Sequence, residues 1–435
     1  MKRGLMKKEG LLRVEKAQCL KGKVKASPSK SYTIRAIACA ALSGSAKIIN
    51  PLISEDTQAA IVAFGNLGAL IKKRGNTLKV KGFGARPSLA GEVNVGESGT
   101  LLRLILPIIA LGKGRFLVRG EGTLLKRPHK AIAEVLLSLG ARIQGKDSEF
   151  RLPLRIDGRG GLGGGKVKVS GQMSSQAISS LLTVAPLAVH DVELVVKDRV
   201  VSAPYIDITL NVLKRFGIKV KRQGYKRFFI KAPQIYEPKE DFIIHGDYSS
   251  AAFLIAAGCL VESDITITDL VKDSQGDRNI IQILNSMGAK IIHANGCARI
   301  RGPFNLKGRD IDCSDTPDLV PILAVAGCFA KGKTRIRNIS HLAYKESDRI
   351  QAPAGELRKL GANIRAGADS LIIEESGLRP AVVSGCNDHR IAMALAVCGL
   401  RIGGIAIKGV DCVNKSYPRF IPDMESLGAR FIIKN

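Results

Sequence analysis

Apolar and polar positions along this 435-residue chain repeat on a long period. One recurring segment has an apolar residue, then Gly, then an alternation of basic and apolar, often β-branched, positions. It occurs at Gly68, Gly140, Gly217, Gly288, Gly361 and Gly428, at spacings of 72, 77, 71, 73 and 67 residues. Gly after the last apolar turn predicts a left-handed helix stop, and the alternation behind it predicts a strand with one buried face. A single such Gly is an ordinary cap. Six at near-constant spacing predict an internal repeat of about 70 residues.

A second series runs in step with the first. SPSKSYTIRAIACAAL from Ser27, GESGTLLRLILPIIAL from Gly96 and SSQAISSLLTVAPLAV from Ser174 each place a polar cluster before small apolar residues. DYSSAAFLIAAGCL from Asp247, DTPDLVPILAVAGCF from Asp315 and NDHRIAMALAVCGL from Asn387 do the same. Each opens with helix-capping residue types and continues as a helix apolar almost all round, which predicts burial in a core. Three repeats precede, and three follow, the Pro-containing polar stretch APQIYEPKED at 232–241, read as a linker. Two α/β domains of similar architecture are expected. Residues up to about Ser27 hold a strand-like segment but no repeat signature, so either domain could own them.

Composition narrows the class. The chain is 45% hydrophobic and 24% charged, so it has material for packed cores and is neither disordered nor fibrous. Apolar runs such as 104–111 and 319–330 stop short of the ~20 residues a membrane-spanning helix needs. The N-terminus, MKRGLMKKEGLLRVEK, lacks the apolar core of a signal peptide. Nine cysteines include no CxxC pair and no metal-ligand spacing with the six histidines, which predicts free thiols, a cytoplasmic setting and no metal. Lys and Arg total 67 against 38 acids, a charge of +29 that concentrates anions. With no Trp, 5% aromatic residues and no RNA-binding signature, a small acidic metabolite is favoured over nucleic acid.

Helix N-termini carry partial positive charge and unsatisfied N–H groups, so parallel helices ending together make an anion receptor. The predicted starts carry Lys30, Ser31 and Arg35; Thr100 and Arg103; Ser174, Ser175 and Gln176; and Asn387, Asp388, His389 and Arg390. Ser and Thr there serve equally as caps. Lys and Arg are more informative, because a cation in a first turn opposes the dipole and needs an anion. Carboxylates accompany them: Asp315 and Asp318 at the fifth start, and Glu346 and Asp348 in KESDR, 345–349. Acids at a helix start are commonly dipole partners, but beside an anion receptor they are also placed for proton transfer. No Walker-type loop or zinc signature is present, and GGLGGG at 160–165 reads as a flexible turn.

SKSYTIRA, SGTLLR, KRP at 126–128, SSQ, VSAPYIDIT, KESDR, NDHR and NKSYP follow one another in an order that resembles the EPSP synthase family of enolpyruvyl transferases over nearly the whole chain. The resemblance implies a two-domain inside-out α/β barrel, each domain made of three βαβαββ repeats, with a cleft between the domains. Residues 28–241 would form the first lobe, on the shikimate 3-phosphate side. Residues 1–27 plus 242–435 would form the second, carrying phosphoenolpyruvate and acid–base chemistry. The implied reaction moves the enolpyruvyl group of phosphoenolpyruvate to the 5-hydroxyl of shikimate 3-phosphate, in aromatic amino-acid biosynthesis.

By resemblance, Lys30, Ser31, Arg35, Ser174, Ser175, Gln176, Ser202, Tyr205, Asp318 and Lys345 hold shikimate 3-phosphate. Lys30, Gly99, Arg127, Gln176, Arg349, Arg390 and Lys415 hold phosphoenolpyruvate. Asp318, Glu346 and Lys30 are the expected catalytic residues, with Asp318 serving the hydroxyl and Glu346 the methylene carbon. No cofactor, nucleic-acid partner or membrane partner is implied, and a monomer is expected. The chain departs from the common family pattern at Pro28, Glu97, Leu104 and His341. The sister transferase that uses UDP-N-acetylglucosamine carries a cysteine loop where this chain reads GEGTLLKRP, 120–128. An RNA 3′-phosphate cyclase would suit the charge but would not need Glu346.

Overall fold

The computed structural model describes residues 10–434. Residues 1–9, which belong to the stretch read as lacking a signal peptide and to the expected second lobe, lie outside the described residues. The chain forms two compact units. The N-terminal unit is Pro28–His245 with Asp273–Gly276; the C-terminal unit holds the segment up to Ser27, Gly246–Lys272 and the chain from Asp277 onward. Each has its own hydrophobic core.

Among the described residues each unit contains three four-stranded sheets of one topology: a parallel pair, then two strands added antiparallel. In the first, Phe242–Ile243 runs parallel to Ala46–Ile49, followed by Thr77–Lys81 and Leu70–Arg74. Its leading strand therefore comes from the far end of the unit. The strand ahead of the first core helix, Leu20–Lys25, instead pairs parallel with Ser263–Thr268 in the C-terminal unit. The leading strands of the first and fourth repeats have thus been exchanged. Leu11–Val14 lies between Ile405–Lys408 and Phe431–Lys434, closing the sixth sheet from the opposite chain end.

All six predicted core helices are present: Lys30–Ala41, Gly99–Ala110, Gln176–Val184, Tyr248–Leu260, Val320–Cys328 and His389–Ile402. Every residue of the fourth and fifth is buried, as expected of helices without a polar stripe. The six stop glycines have φ between 81° and 110°. After each, the second N–H beyond the helix returns to a carbonyl one turn back, for example Ala69 to Phe64 O and Ala429 to Met424 O. That is the bond the left-handed stop makes possible.

Two readings need correction. The stretch 232–241 is not a free linker. Tyr236 is buried and donates to Thr183 O at 2.5 Å, and Ala232 N donates to Asp191 Oδ1, so it packs into the N-terminal unit and the boundary falls after His245. Polar and Pro-rich composition hid one anchoring aromatic. GGLGGG is likewise held in place, because Leu162 is buried in the core and a Cβ on Gly164 would lie 2.4 Å from His190 O. Part of the basic excess lies on outward sheet faces, where Lys47, Lys79 and Lys72 sit directly opposite one another, each exposed.

Candidate active-site residues

In the N-terminal unit, Ser29 caps the first core helix and Lys30 begins it. Lys30 Nζ lies 2.8 Å from Asp56 in the first turn of helix Glu55–Asn66, so the anion this cation needs is supplied by the protein. Arg35 differs. It is 3% exposed, donating from Nε to Thr209 Oγ1 at 2.8 Å and from Nη1 to Ser31 O at 3.1 Å. Nη2 lies 3.5 Å from Tyr205 O, and the guanidinium sits 5.9 Å from the Tyr205 ring centre. Burial lowers its pKa to about 10, which leaves it charged at neutral pH. Among the described residues no carboxylate pairs with it.

The Tyr205 carbonyl also accepts from Ser179 and Thr209, tying the first and third core helices to helix Pro204–Arg215. Gln176 Nε2 donates to Thr100 Oγ1 at 3.1 Å and joins the starts of the second and third core helices. Ser174 Oγ accepts from Gln176 N, and Ser175 is buried at the cap position. Ser202 is held at φ 56° with its buried hydroxyl unpartnered. Gly99 opens the second core helix against two cations: a Cβ there would lie 2.7 Å from Arg127 Nη1 and 2.8 Å from Arg103 Nη1. Arg127 is buried. Burial, with Arg103 and Arg127, pushes buried His129 down to about 3, so it stays neutral. Glu97 accepts from Thr123 N at 3.4 Å.

In the C-terminal unit the expected residues converge on Arg349, which is 1% exposed. Its Nη1 donates to Asp318 Oδ1 at 2.6 Å, its Nη2 to Glu346 Oε2 at 2.7 Å, and its Nε to Asp388 Oδ2 at 2.7 Å. Burial alone would lower its pKa, but Asp388, Glu346 and Asp318 raise it well above the usual value. Arg390 Nη2 reaches Asp318 Oδ2 at 3.0 Å, so Asp318 bridges two guanidiniums. Burial favours protonating Asp318, yet Arg390, Arg349 and Lys345 outweigh it and hold the carboxyl well below the normal range. Lys415 Nζ donates to Asn387 O at 3.1 Å and Oδ1 at 3.0 Å, beside the Asp388 cap of the sixth core helix. Buried His341 is pushed down to about 4 by burial and Lys345.

Asp348 proves to be a turn acid. Its Oδ1 accepts from Ile350 N and Gln351 N ahead of helix Gln351–Lys359. Sequence reasoning gave no role to Asp56, Thr209 or Asp277, and marked Asp388 only as part of a helix start. A carboxylate three residues before Arg349 is visible as spacing; partners 31 and 39 residues away are not.

Two α/β units of three βαβαββ repeats, with cations and carboxylates gathered at helix starts, have the architecture of the enolpyruvyl transferases. The structure of NikO from Streptomyces tendae, an enolpyruvyl transferase, shares the fold at TM-score 0.79, covering 98% of this chain and 99% of that one at 18% identity. EPSP synthase from Acinetobacter baumannii superposes at TM-score 0.82 and 26% identity, covering 98% and 100%. The family model for EPSP synthase (3-phosphoshikimate 1-carboxyvinyltransferase) matches residues 14–424. A 3-phosphoshikimate 1-carboxyvinyltransferase of Methanocaldococcus jannaschii is 41% identical over 98% of this chain and 100% of its own length. One from Methanococcus aeolicus is 40% identical over 97% and 99%. The chain belongs to the EPSP synthase family.

Proposed function

We propose that the chain carries out its family's reaction, transferring the enolpyruvyl group of phosphoenolpyruvate to the 5-hydroxyl of shikimate 3-phosphate and releasing phosphate. The observation that carries this reading is the placement of Asp318 and Glu346 on one buried guanidinium, Arg349. Two carboxylates are needed because two protons move. The hydroxyl oxygen bonds to C2 of the donor and loses its proton to Asp318, while the methylene carbon gains a proton from Glu346. In the second step the C2–O bond to phosphate breaks and the methyl group returns a proton, leaving an enol ether.

Arg349 and Arg390 make Asp318 a weak base at rest. An anionic donor bound at Arg390 competes for that arginine's charge and raises the affinity of Asp318 for a proton, so the base strengthens as substrate binds. Lys30, Arg127 and Lys415 add attraction for the donor, with Gly99 leaving Arg127 room, and Gln176 contacts both substrates. Ser31, Arg35, Ser174, Ser175, Ser202, Tyr205 and Lys345 hold shikimate 3-phosphate, with Arg35 the buried cation that lacks a carboxylate. Fixed cations in a dry site are worth far more than in water.

Lobes at 28–241 and at 1–27 with 242–435 remain our reading of the functional halves, amended at the boundary described above. Among the described residues no helix is long and apolar enough to cross a membrane. We read the protein as a cytoplasmic monomer acting on small molecules, a setting that suits its nine free cysteines. Phosphate release from phosphoenolpyruvate, with shikimate 3-phosphate and UDP-N-acetylglucosamine as alternative acceptors, tests the assignment. Turnover with the former is expected; turnover only with the sugar nucleotide would overturn it.

A further inference from the structure

Asp277 stands outside every role assigned above. It lies in the short turn Gly276–Asn279, is 2% exposed, and accepts a 2.5 Å hydrogen bond from Ser249 Oγ in the first turn of the fourth core helix. Its Oδ1 is buried with no hydrogen-bond partner, as are Nε and Nη1 of Arg390. The charged and titratable groups that face it come from each element packed against it. They are Asp318 ahead of the fifth core helix, Arg390 at the start of the sixth, Asp247 at the cap of the fourth, and the buried Cys313 thiol. Buried donors and acceptors left unmatched are costly and are seldom kept without a purpose.

We propose that Asp277 is a positioning residue for the transfer reaction: hydrogen-bonded to Ser249, it governs how much of the Arg390 charge is available to an anionic donor and to Asp318. This rests on the reading in which Arg390 receives phosphoenolpyruvate. The neighbouring acids divide the work. Asp318 is pinned as a carboxylate by its two arginines. Burial and the Asp318 charge push Asp277 up to about 7, against the opposing pull of Ser249 and Arg390. Below that pH Asp277 is neutral, and the acids acting on Arg390 are Asp318 and Asp247. Above it a further negative charge acts on the Arg390 guanidinium from close by, and attraction for the donor falls.

The test is the pH dependence of KM for phosphoenolpyruvate between pH 5.5 and 8.5, at saturating shikimate 3-phosphate. The wild-type protein, Asp277→Asn and Ser249→Ala are compared, and the substrates' own ionisations are common to all three. In the wild type KM is expected to rise by about fivefold to tenfold through neutrality, the scale of one screened charge–charge interaction. Asp277→Asn should lose that rise and keep the low-pH KM. Ser249→Ala should move the rise to higher pH, because the hydrogen bond favouring the carboxylate is gone. A folded Asp277→Asn with the wild-type profile overturns the inference; should that variant fail to fold, a wild-type profile in Ser249→Ala overturns it instead. Absence of turnover by the wild type on these substrates overturns the functional reading and the inference with it, whereas normal turnover with unchanged profiles overturns the inference alone.

Discussion

Arg35 in the N-terminal unit and Arg349 in the C-terminal unit are both buried, 3% and 1% exposed, yet their surroundings are opposite. Arg35 meets a threonine hydroxyl, backbone carbonyls and an aromatic face. Arg349 meets three carboxylates. Burying a charge costs free energy unless a partner compensates it. Arg349 has its partners built in, and the cluster around it keeps Asp318 ionised and holds Glu346 in place. Arg35 is matched only by dipoles, so a bound phosphate improves its surroundings. One repeat architecture, used twice, therefore yields one unit that is short of anions and one that stores them.

The sharpest way to break this contrast is to remove the proton carrier we propose while leaving the cluster's shape. Glu346→Gln keeps an oxygen to accept from Arg349 but cannot deliver a proton as a carboxylic acid does. Turnover should fall by about 10²–10⁴, the usual worth of general acid–base catalysis, with little change in either substrate's KM. Steady-state kinetics decide it: a collapse of affinity with turnover preserved would make Glu346 a binding residue.

Next come the two arginines themselves, replaced by Met. Arg349→Met leaves three carboxylates around an apolar side chain, and stripping one partner from a buried ion pair typically costs about 3–5 kcal/mol. Urea denaturation should register a loss of that size. Arg35→Met removes no protein carboxylate's partner, and the hydrogen bonds it loses are offset by no longer burying an uncompensated charge, so stability should change by less than about 1 kcal/mol. Its cost should appear in binding, where losing a charge-assisted phosphate contact worth about 1.5–3 kcal/mol raises KM for shikimate 3-phosphate by about 10–150-fold. Equal destabilisation by the two substitutions would remove the distinction.

These contrasts were only partly legible in the sequence. The repeat could be read because a left-handed stop has one good residue type, and Gly68, Gly140, Gly217, Gly288, Gly361 and Gly428 all obey it. Lys30, Arg35 and Arg390 could be picked out because cations in early helical turns are locally unfavourable. What would answer each of them was hidden. Asp56 answers Lys30 across 26 residues, Asp318 answers Arg390 across 72, and among the described residues no acid answers Arg35. Long-range pairing is set by how six sheets stack their helices, and no local spacing records it. The exchange of leading strands is equally silent, since Leu20–Lys25 and Phe242–Ile243 each pair with a strand far away in the chain.

The two units also share a feature whose effect is smaller: a buried, neutral histidine beside cations. His129 is pushed down to about 3 by burial, Arg103 and Arg127, and His341 to about 4 by burial and Lys345. An unfolded histidine has a pKa near 6.5, so below that pH the unfolded chain binds protons that the folded chain refuses. The stability each contributes is complete above about pH 6.5 and is lost as pH falls toward the folded value. Between pH 7.5 and 5.5 each site should account for about 1.4 kcal/mol of lost stability, one unit of differential protonation. His129→Phe should remove its share and flatten the acid limb of urea denaturation by that amount, with the His341 share still present. An acid limb as steep as the wild type's would mean that His129 accepts its proton in the folded state, and that Arg103 and Arg127 are screened from it.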